Sequence, residues 1–208
     1  IAELSQSRWH VGGVLRSLHR YAADAFIWVT LAHLLREGLY GRYSGFRRFS
    51  WLTGIPLMLL AGVNAIGGFW LNWDELGQFS ALATAELLDW LPLFASPLTR
   101  NFLGVDAVSD RLFSLFVFVH IGMPLLLVFG LWFHIQRVAR ATVFPPRRLA
   151  LGTAITLLAL ALAVPVESLA PAHLAVAPAA MAYDWLLLLV HPLTYATSPG
   201  FVWLAMAG

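Results

Sequence analysis

Cysteine and lysine are absent from this chain, and charge is scarce. The 208 residues contain no cysteine, all 13 basic residues are arginine, and charged residues make up only 12% of the total. Without cysteine, disulfides, thiolate-bound iron–sulfur clusters and thioether-attached haem are excluded within these residues. Soluble domains carry about a quarter charged residues, so the low charge argues against a soluble fold. The exclusive use of arginine is typical of a GC-rich bacterial genome.

Apolar residues take the place of the missing charge, at 60% of the chain. They form runs long enough to cross a bilayer as helix, which takes about 20 residues. Glycine, proline and arginine clusters separate the runs. We therefore predict an all-α integral membrane protein built as a transmembrane helical bundle. The predicted elements are an amphipathic lead at 1–11, helices at about 13–37, 50–71, 110–138 and 148–165, a fifth helix beginning near Gly200, and non-spanning segments at 72–109 and 166–198.

Loop charges predict the orientation of these helices. The loops after the first and third helices each carry four arginines against at most one acid, whereas acids dominate residues 72–109. The positive-inside rule then places both basic loops in the cytoplasm and both long segments outside. We expect a multi-pass protein of a bacterial cytoplasmic membrane, with no nucleic acid among its partners. The sequence begins without an initiator Met or a signal peptide and stops within an apolar run, so we expect a fragment.

Four histidines repeat one spacing. His19 and His33 are 14 residues apart on the first predicted helix, and His120 and His134 are 14 apart on the third. Fourteen residues advance a helix by about 21 Å and almost complete four turns, so each pair shares one face. Because the two helices run in parallel, His19 is level with His120 and His33 with His134. Two facing imidazoles at each level suit bis-histidine ligation of two stacked haems. A lone intramembrane histidine is more often a packing residue, but two equally spaced pairs favour ligation.

Glycine and arginine positions agree with this interpretation. Gly54 and Gly68 are 14 residues apart on the second helix, where the absence of a side chain would let a flat macrocycle approach the backbone. Close helix packing explains the same glycines equally well. Arg16 and Arg36 each lie three residues from a histidine and could pair with haem propionates, or could be interfacial cations.

These residues resemble cytochrome b, the dihaem quinone-reacting subunit of cytochrome bc and related complexes. The stretch "GGVLRSLH" is similar to the family's Gly-x-x-x-Arg-x-x-His, and "HLLREGLYG" is similar to its second ligand motif. The stretch "GGFWLNWDELGQFSA" is similar to the family signature at the end of the second helix, and "HIGMP" keeps a proline four residues after the third ligand. The resemblance is dense over about residues 8–145.

The resemblance implies two b-type haems, a low-potential outer one on His19 and His120 and a high-potential inner one on His33 and His134. It implies a dihaem bundle over 1–145, with the family's first helix missing or supplied elsewhere. Residues 146–208 would add a transmembrane helix, an outer loop and the start of a further helix.

Several positions depart from the family pattern. Asn72 precedes Trp73 where the family has Pro-Trp, and "YDWL" at 183–186 stands for Pro-Glu-Trp-Tyr. Asp184 keeps a carboxylate that could accept a quinol proton, or it is a solvated loop acid. No arginine lies five residues before the third ligand, and Asp24 adds an acid inside the first helix. These departures put the outer quinol-oxidation site, and the iron–sulfur partner it serves, in doubt.

The leading functional hypothesis is electron transfer across the bilayer between quinone and a redox partner subunit, within a larger respiratory or photosynthetic complex. One alternative is a full quinol:cytochrome c-type complex with bifurcated flow, whose partners would include iron–sulfur or cytochrome c subunits. Another is a haem-free transporter or scaffold with a histidine-lined proton path. Arg137 or Arg140 could orient an inner quinone, although a topogenic role fits them better. His10, His173 and His191 are interpreted as surface or packing residues.

Overall fold

The computed structural model describes residues 10–93, 97–104, 107–138, 140–176, 181, 183–188 and 190–207, without the side chains of residues 99, 100, 188 and 207. Residues 1–9, and with them most of the predicted amphipathic lead, lie outside this set. All regular structure in the described residues is helical, which confirms the all-α prediction for this part of the chain.

The helices follow the predicted order. They are α1 Val11–Leu39, α2 Arg48–Trp70 with a 3₁₀ turn at Gly45–Arg47 before it, α3 Glu75–Asp89, α4 Leu98–Phe102, α5 Asp110–Ile135, α6 Arg147–Ala163, α7 Trp185–Leu188, α8 His191–Ala196 and α9 Pro199–Ala207. The five helices expected from apolar runs correspond to α1, α2, α5, α6 and α9. The two non-spanning segments contain the short helices α3, α4, α7 and α8.

Two helical stretches are long and apolar enough to cross a membrane, Gly45–Trp70 and Asp110–Ile135. Only 6% of the most apolar window in each is buried within the chain. A core helix of a soluble protein would be largely buried, whereas an apolar helix that exposes nearly all its sides suits a lipid environment. These helices and their burial are consistent with a membrane protein.

The chain divides into two compact units. Among the described residues, those within 1–65 and 121–167 form the first unit, and those within 66–120 and 168–208 form the second. Because the boundaries fall inside α2 and α5, each of these helices contributes one part to each unit.

In the first unit, α1 packs against α6 and the residues that follow it. The Tyr21 hydroxyl donates to the carbonyl of Val164 at 2.7 Å, and the amide of Val166 donates to the buried hydroxyl of Ser17 at 3.0 Å. These side chains satisfy backbone groups at the end of α6 that have no partner within the helix. The unexpected acid on α1, Asp24, forms an ion pair with Arg20 one turn earlier at 3.3 Å.

The second unit is organised by the corner between α2 and α3. Asp74, only 8% exposed, caps α3 by accepting from the amide of Gly77 at 2.9 Å. Its other oxygen accepts from the side chain of Asn72 at 2.6 Å and from the amide of Leu169 at 3.1 Å. Ser168 exchanges hydrogen bonds with Asn72 at 2.9 and 3.1 Å. The corner is thereby tied to the chain after α6, and we call these four residues, Asn72, Asp74, Ser168 and Leu169, the corner latch.

Candidate functional site

The first unit contains a cavity of about 630 Å³ between α1, α2, α5 and the segment after α5. Ligand pockets in proteins range over roughly 300–1,000 Å³, so this volume suits a large organic group. Most of the walls are apolar, with Phe26, Val29, Leu57, Met58 and Leu131 among the lining residues. The cavity is therefore an apolar space between helices.

Two histidines border the cavity from different helices, His33 of α1 and His134 of α5. Within the described part of the chain, His, Asp and Glu nowhere gather in a group of three that could hold a metal ion. Two imidazoles on separate helices could hold the iron of a haem group.

His134 is held in place from α2. Its Nδ1 lies 3.0 Å from the hydroxyl oxygen of Thr53, and its backbone carbonyl accepts from the hydroxyl of Ser50 at 3.2 Å. A Cβ added at Gly54 would lie 3.1 Å from Cε1 of the ring, closer than most real contacts of that type. Gly54 therefore makes room for the imidazole of His134, and its approach to a macrocycle stays a prediction.

Charged residues line the cavity where α1 ends. Glu37 accepts from Arg42 at 2.8 Å and from Arg36 at 3.1 Å, and it lies 3.7 Å from Arg47. The ring of Tyr40 stacks under the guanidinium groups of Arg42 and Arg36, at 5.0 and 5.5 Å from its centroid. Three guanidinium groups and one carboxylate leave a formal charge of +2 (3 − 1). We call Arg36, Glu37, Arg42 and Arg47 the charged rim.

The cavity and the charged rim together fit a haem. The apolar walls match a tetrapyrrole ring, His33 and His134 match its iron, and the excess of two positive charges matches its two propionates. Arg36 was predicted from its distance to His33 along the sequence. Arg42 and Arg47 were missed, because they lie in the loop and approach the cavity only through the turn of the chain after α1.

The other predicted pair lies partly in each unit. In the second unit, a Cβ at Gly68 would lie 3.2 Å from Cε1 of His120, the same relation that joins Gly54 to His134. His19 is in the first unit, exposed on α1, and Arg16 lies half-buried one turn before it. The pairing of His19 with His120 stays a prediction from the 14-residue spacing.

Asp184 directly precedes the short helix α7. One of its carboxylate oxygens accepts from the amide of Leu186 at 3.0 Å, which holds the start of that helix. The side chain is half-buried rather than fully solvated. Of the two arginines predicted on the inner side, Arg137 stacks its guanidinium on the ring of Phe49, 5.5 Å from the ring centroid.

His191 is buried in the second unit, with 1% of its surface exposed. Of the two roles predicted for it, it is therefore a packing residue and not a surface residue. Its Nε2 lies 2.9 Å from the hydroxyl of Thr84, and its ring packs 6.2 Å from that of Phe79. Burial lowers the pKa of His191, although backbone groups of Leu187 and Ser80 act in the opposite direction. By contrast, His173 is exposed, and its backbone is held by the side chain of Gln78.

A comparison with protein families found a match over about two thirds of the chain. A family model described as cytochrome b/b6/petB matches residues 6–142. That range includes the four histidines of the two pairs, the charged rim, and Gly54 and Gly68, which pack against His134 and His120. Members of this family carry b-type haem and transfer electrons in quinol oxidoreductase complexes. The chain belongs to the cytochrome b/b6 family.

Proposed function

We propose that this protein is a dihaem membrane cytochrome b that carries electrons across the bilayer between a quinone or quinol and a redox partner subunit. The observation that carries the proposal is the cavity bordered by His33 and His134, with apolar walls and the charged rim where α1 ends. We place the protein in a larger respiratory or photosynthetic complex in a bacterial cytoplasmic membrane, with the basic loops after α1 and α5 on the cytoplasmic side.

In this proposal, His33 and His134 hold the inner haem iron, and His19 and His120 hold the outer one. When bound, the haems supply one-electron chemistry, and the protein supplies ligation, spacing and tuning of potential. The rise of about 21 Å over 14 helical residues sets the distance between the two levels. Arg36, joined by Arg42 and Arg47, neutralises the propionates of the inner haem, and Arg16 is assigned the same role outside. Residues 1–145 would form the dihaem region and residues 146–208 an added membrane segment.

We favour a linear relay over bifurcated flow with iron–sulfur and cytochrome c partners. Asn72 replaces the family's proline and is engaged in the corner latch, so the outer corner is built differently from the family pattern. Asp184 is the candidate acceptor of a quinol proton. If it has this role, Asp184→Asn slows quinol turnover and alters its pH profile; unchanged kinetics would leave it a helix-capping residue.

The test is a reduced-minus-oxidised absorbance spectrum of the purified protein, together with haem content per chain. We expect b-type bands and two haems in the wild type, and loss of one haem in His33→Ala. His173→Ala is the matched control, since this histidine is exposed and its contacts to Gln78 use only backbone atoms. Absence of haem from the wild type would refute the proposal and favour a haem-free transporter or scaffold. Loss of neither haem in His33→Ala would refute the ligand assignment.

A further inference from the structure

Thr53 contacts the ring of His134 in a way that the haem ligand set alone does not require. Its hydroxyl oxygen lies 3.0 Å from Nδ1 of the ring, across from α2 to α5. The same hydroxyl lies 2.9 Å from the carbonyl of Phe49, one turn earlier on α2, and 3.2 Å from the carbonyl of Ser50. Three polar atoms thus share one hydroxyl group, which has a single proton to donate.

The position of that proton follows from the two carbonyls. A carbonyl oxygen can only accept, so the hydroxyl must donate to Phe49 or Ser50 to avoid a contact between two lone pairs. The hydroxyl oxygen then meets Nδ1 as an acceptor, and Nδ1 must carry the hydrogen. In a neutral imidazole with hydrogen on Nδ1, the lone pair is on Nε2. Nε2 is the atom that remains to bind iron.

We propose that Thr53 is a positioning residue for His134: it fixes the tautomer that presents Nε2 to the inner haem iron and makes that ligand more basic. The inference rests on the proposed function. A hydrogen bond accepted from the distal ring nitrogen of a ligating histidine fixes the ring orientation and raises the basicity of the ligand. A more basic ligand stabilises ferric over ferrous iron and so lowers the reduction potential.

The chain contains its own comparison. Gly68 packs against Cε1 of His120 as Gly54 packs against Cε1 of His134, at 3.2 and 3.1 Å from the position of an added Cβ. The residue before Gly54 is Thr53, whereas the residue before Gly68 is Gly67, which has no hydroxyl. Both His134 and His120 contact a glycine, but only His134 has a threonine hydroxyl beside that contact.

The test compares Thr53→Val, which removes the hydroxyl at nearly constant volume, with Thr53→Ser, which keeps it. The matched control is Thr197→Val, because Thr197 lies outside the cavity, is exposed, and donates in the same way to the carbonyl one turn earlier, that of Leu193, at 2.6 Å. The measurements are haem content, the midpoint potential of each haem by redox titration, and the low-field g value of each ferric haem by electron paramagnetic resonance.

We expect Thr53→Val to raise the potential of one haem and shift its g value, while Thr53→Ser and Thr197→Val match the wild type. Wild-type potentials and g values in Thr53→Val would overturn the inference. If Thr53→Val loses one haem, recovery of that haem in Thr53→Ser supports the role of the hydroxyl, and its loss there too overturns it. A wild type without haem would instead refute the proposed function, and the two failures are thus distinct.

Discussion

The two units of this protein use their polar groups in different ways. In the first unit, His33, His134 and the charged rim border a cavity that a ligand can fill. In the second unit, Asn72, Asp74 and Ser168 bond to one another and to nearby backbone. The first arrangement is suited to binding and the second to holding shape. Polar residues within one largely apolar sequence can therefore serve different purposes.

The largest predicted effect comes from removing Asp74, the central residue of the corner latch, because it tests whether this group stabilises the second unit. Asp74→Ala leaves the amides of Gly77 and Leu169 and the side chain of Asn72 without their acceptor. The lost cap and the unsatisfied buried donors should together cost about 3 kcal/mol of folding free energy. Thermal denaturation in detergent should show the loss, while the content of the proposed inner haem stays unchanged below the transition.

Asp110→Ala is the control for that variant. Asp110 is exposed in the first turn of α5, where an acid contributes at most about 1 kcal/mol through the helix dipole. Equal destabilisation by the two substitutions would show that the corner latch has no special role in stability.

A second prediction concerns pH and the second unit. Because burial lowers the pKa of His191 below its ordinary value of 6.5, the unfolded chain takes up a proton more readily than the folded one. Its contribution to stability is therefore complete above about pH 6.5 and declines as the pH falls toward the lowered value, by up to about 1.4 kcal/mol per pH unit. Melting temperatures measured between pH 8 and 5 should fall, and His191→Gln should flatten that slope.

His173→Gln serves as the control, because His173 is exposed and should leave the slope as in the wild type. A slope that persists in His191→Gln would assign the pH dependence to other groups.

The smallest predicted effect concerns the charged rim in the first unit, and it tests whether the rim acts on a ligand in the cavity. Arg42→Gln removes one positive charge from the charged rim, where Arg42 contacts Glu37 at 2.8 and 2.9 Å. Positive charge favours the ferrous state, so the potential of one haem should fall by about 40 mV, equivalent to about 1 kcal/mol. Redox titration at low salt measures it, and the exposed Arg148→Gln is the control. An equal fall for both haems would place the charged rim away from the inner site.

Sequence reasoning located the long helices to within about three residues. Apolar runs predicted 50–71 and 110–138, and the structure has Arg48–Trp70 and Asp110–Ile135. Such runs are decided locally, by hydropathy and by the glycine, proline and arginine that end them. The same regularity exposed the histidine spacing, because a fixed rise and turn per residue converts a count into a position.

What the sequence did not reveal depends on contacts between distant residues. Thr53 looked like any polar residue in an apolar helix, and its role requires the register of α2 against α5. Asn72 was recognised only as a departure from a family motif, whereas in the structure it bonds to Ser168, 96 residues away. No local signal marks a pairing of that kind.

The length of that connection also sets the order in which the protein can be completed. Asn72 and Asp74 are synthesised long before Ser168 and Leu169, so α5 and α6 emerge while the corner between α2 and α3 still lacks its partners. This corner is thus among the last parts of the described chain to be completed during synthesis. A ribosome-stalled chain that ends before residue 168 should have a corner between α2 and α3 that proteases can still cleave.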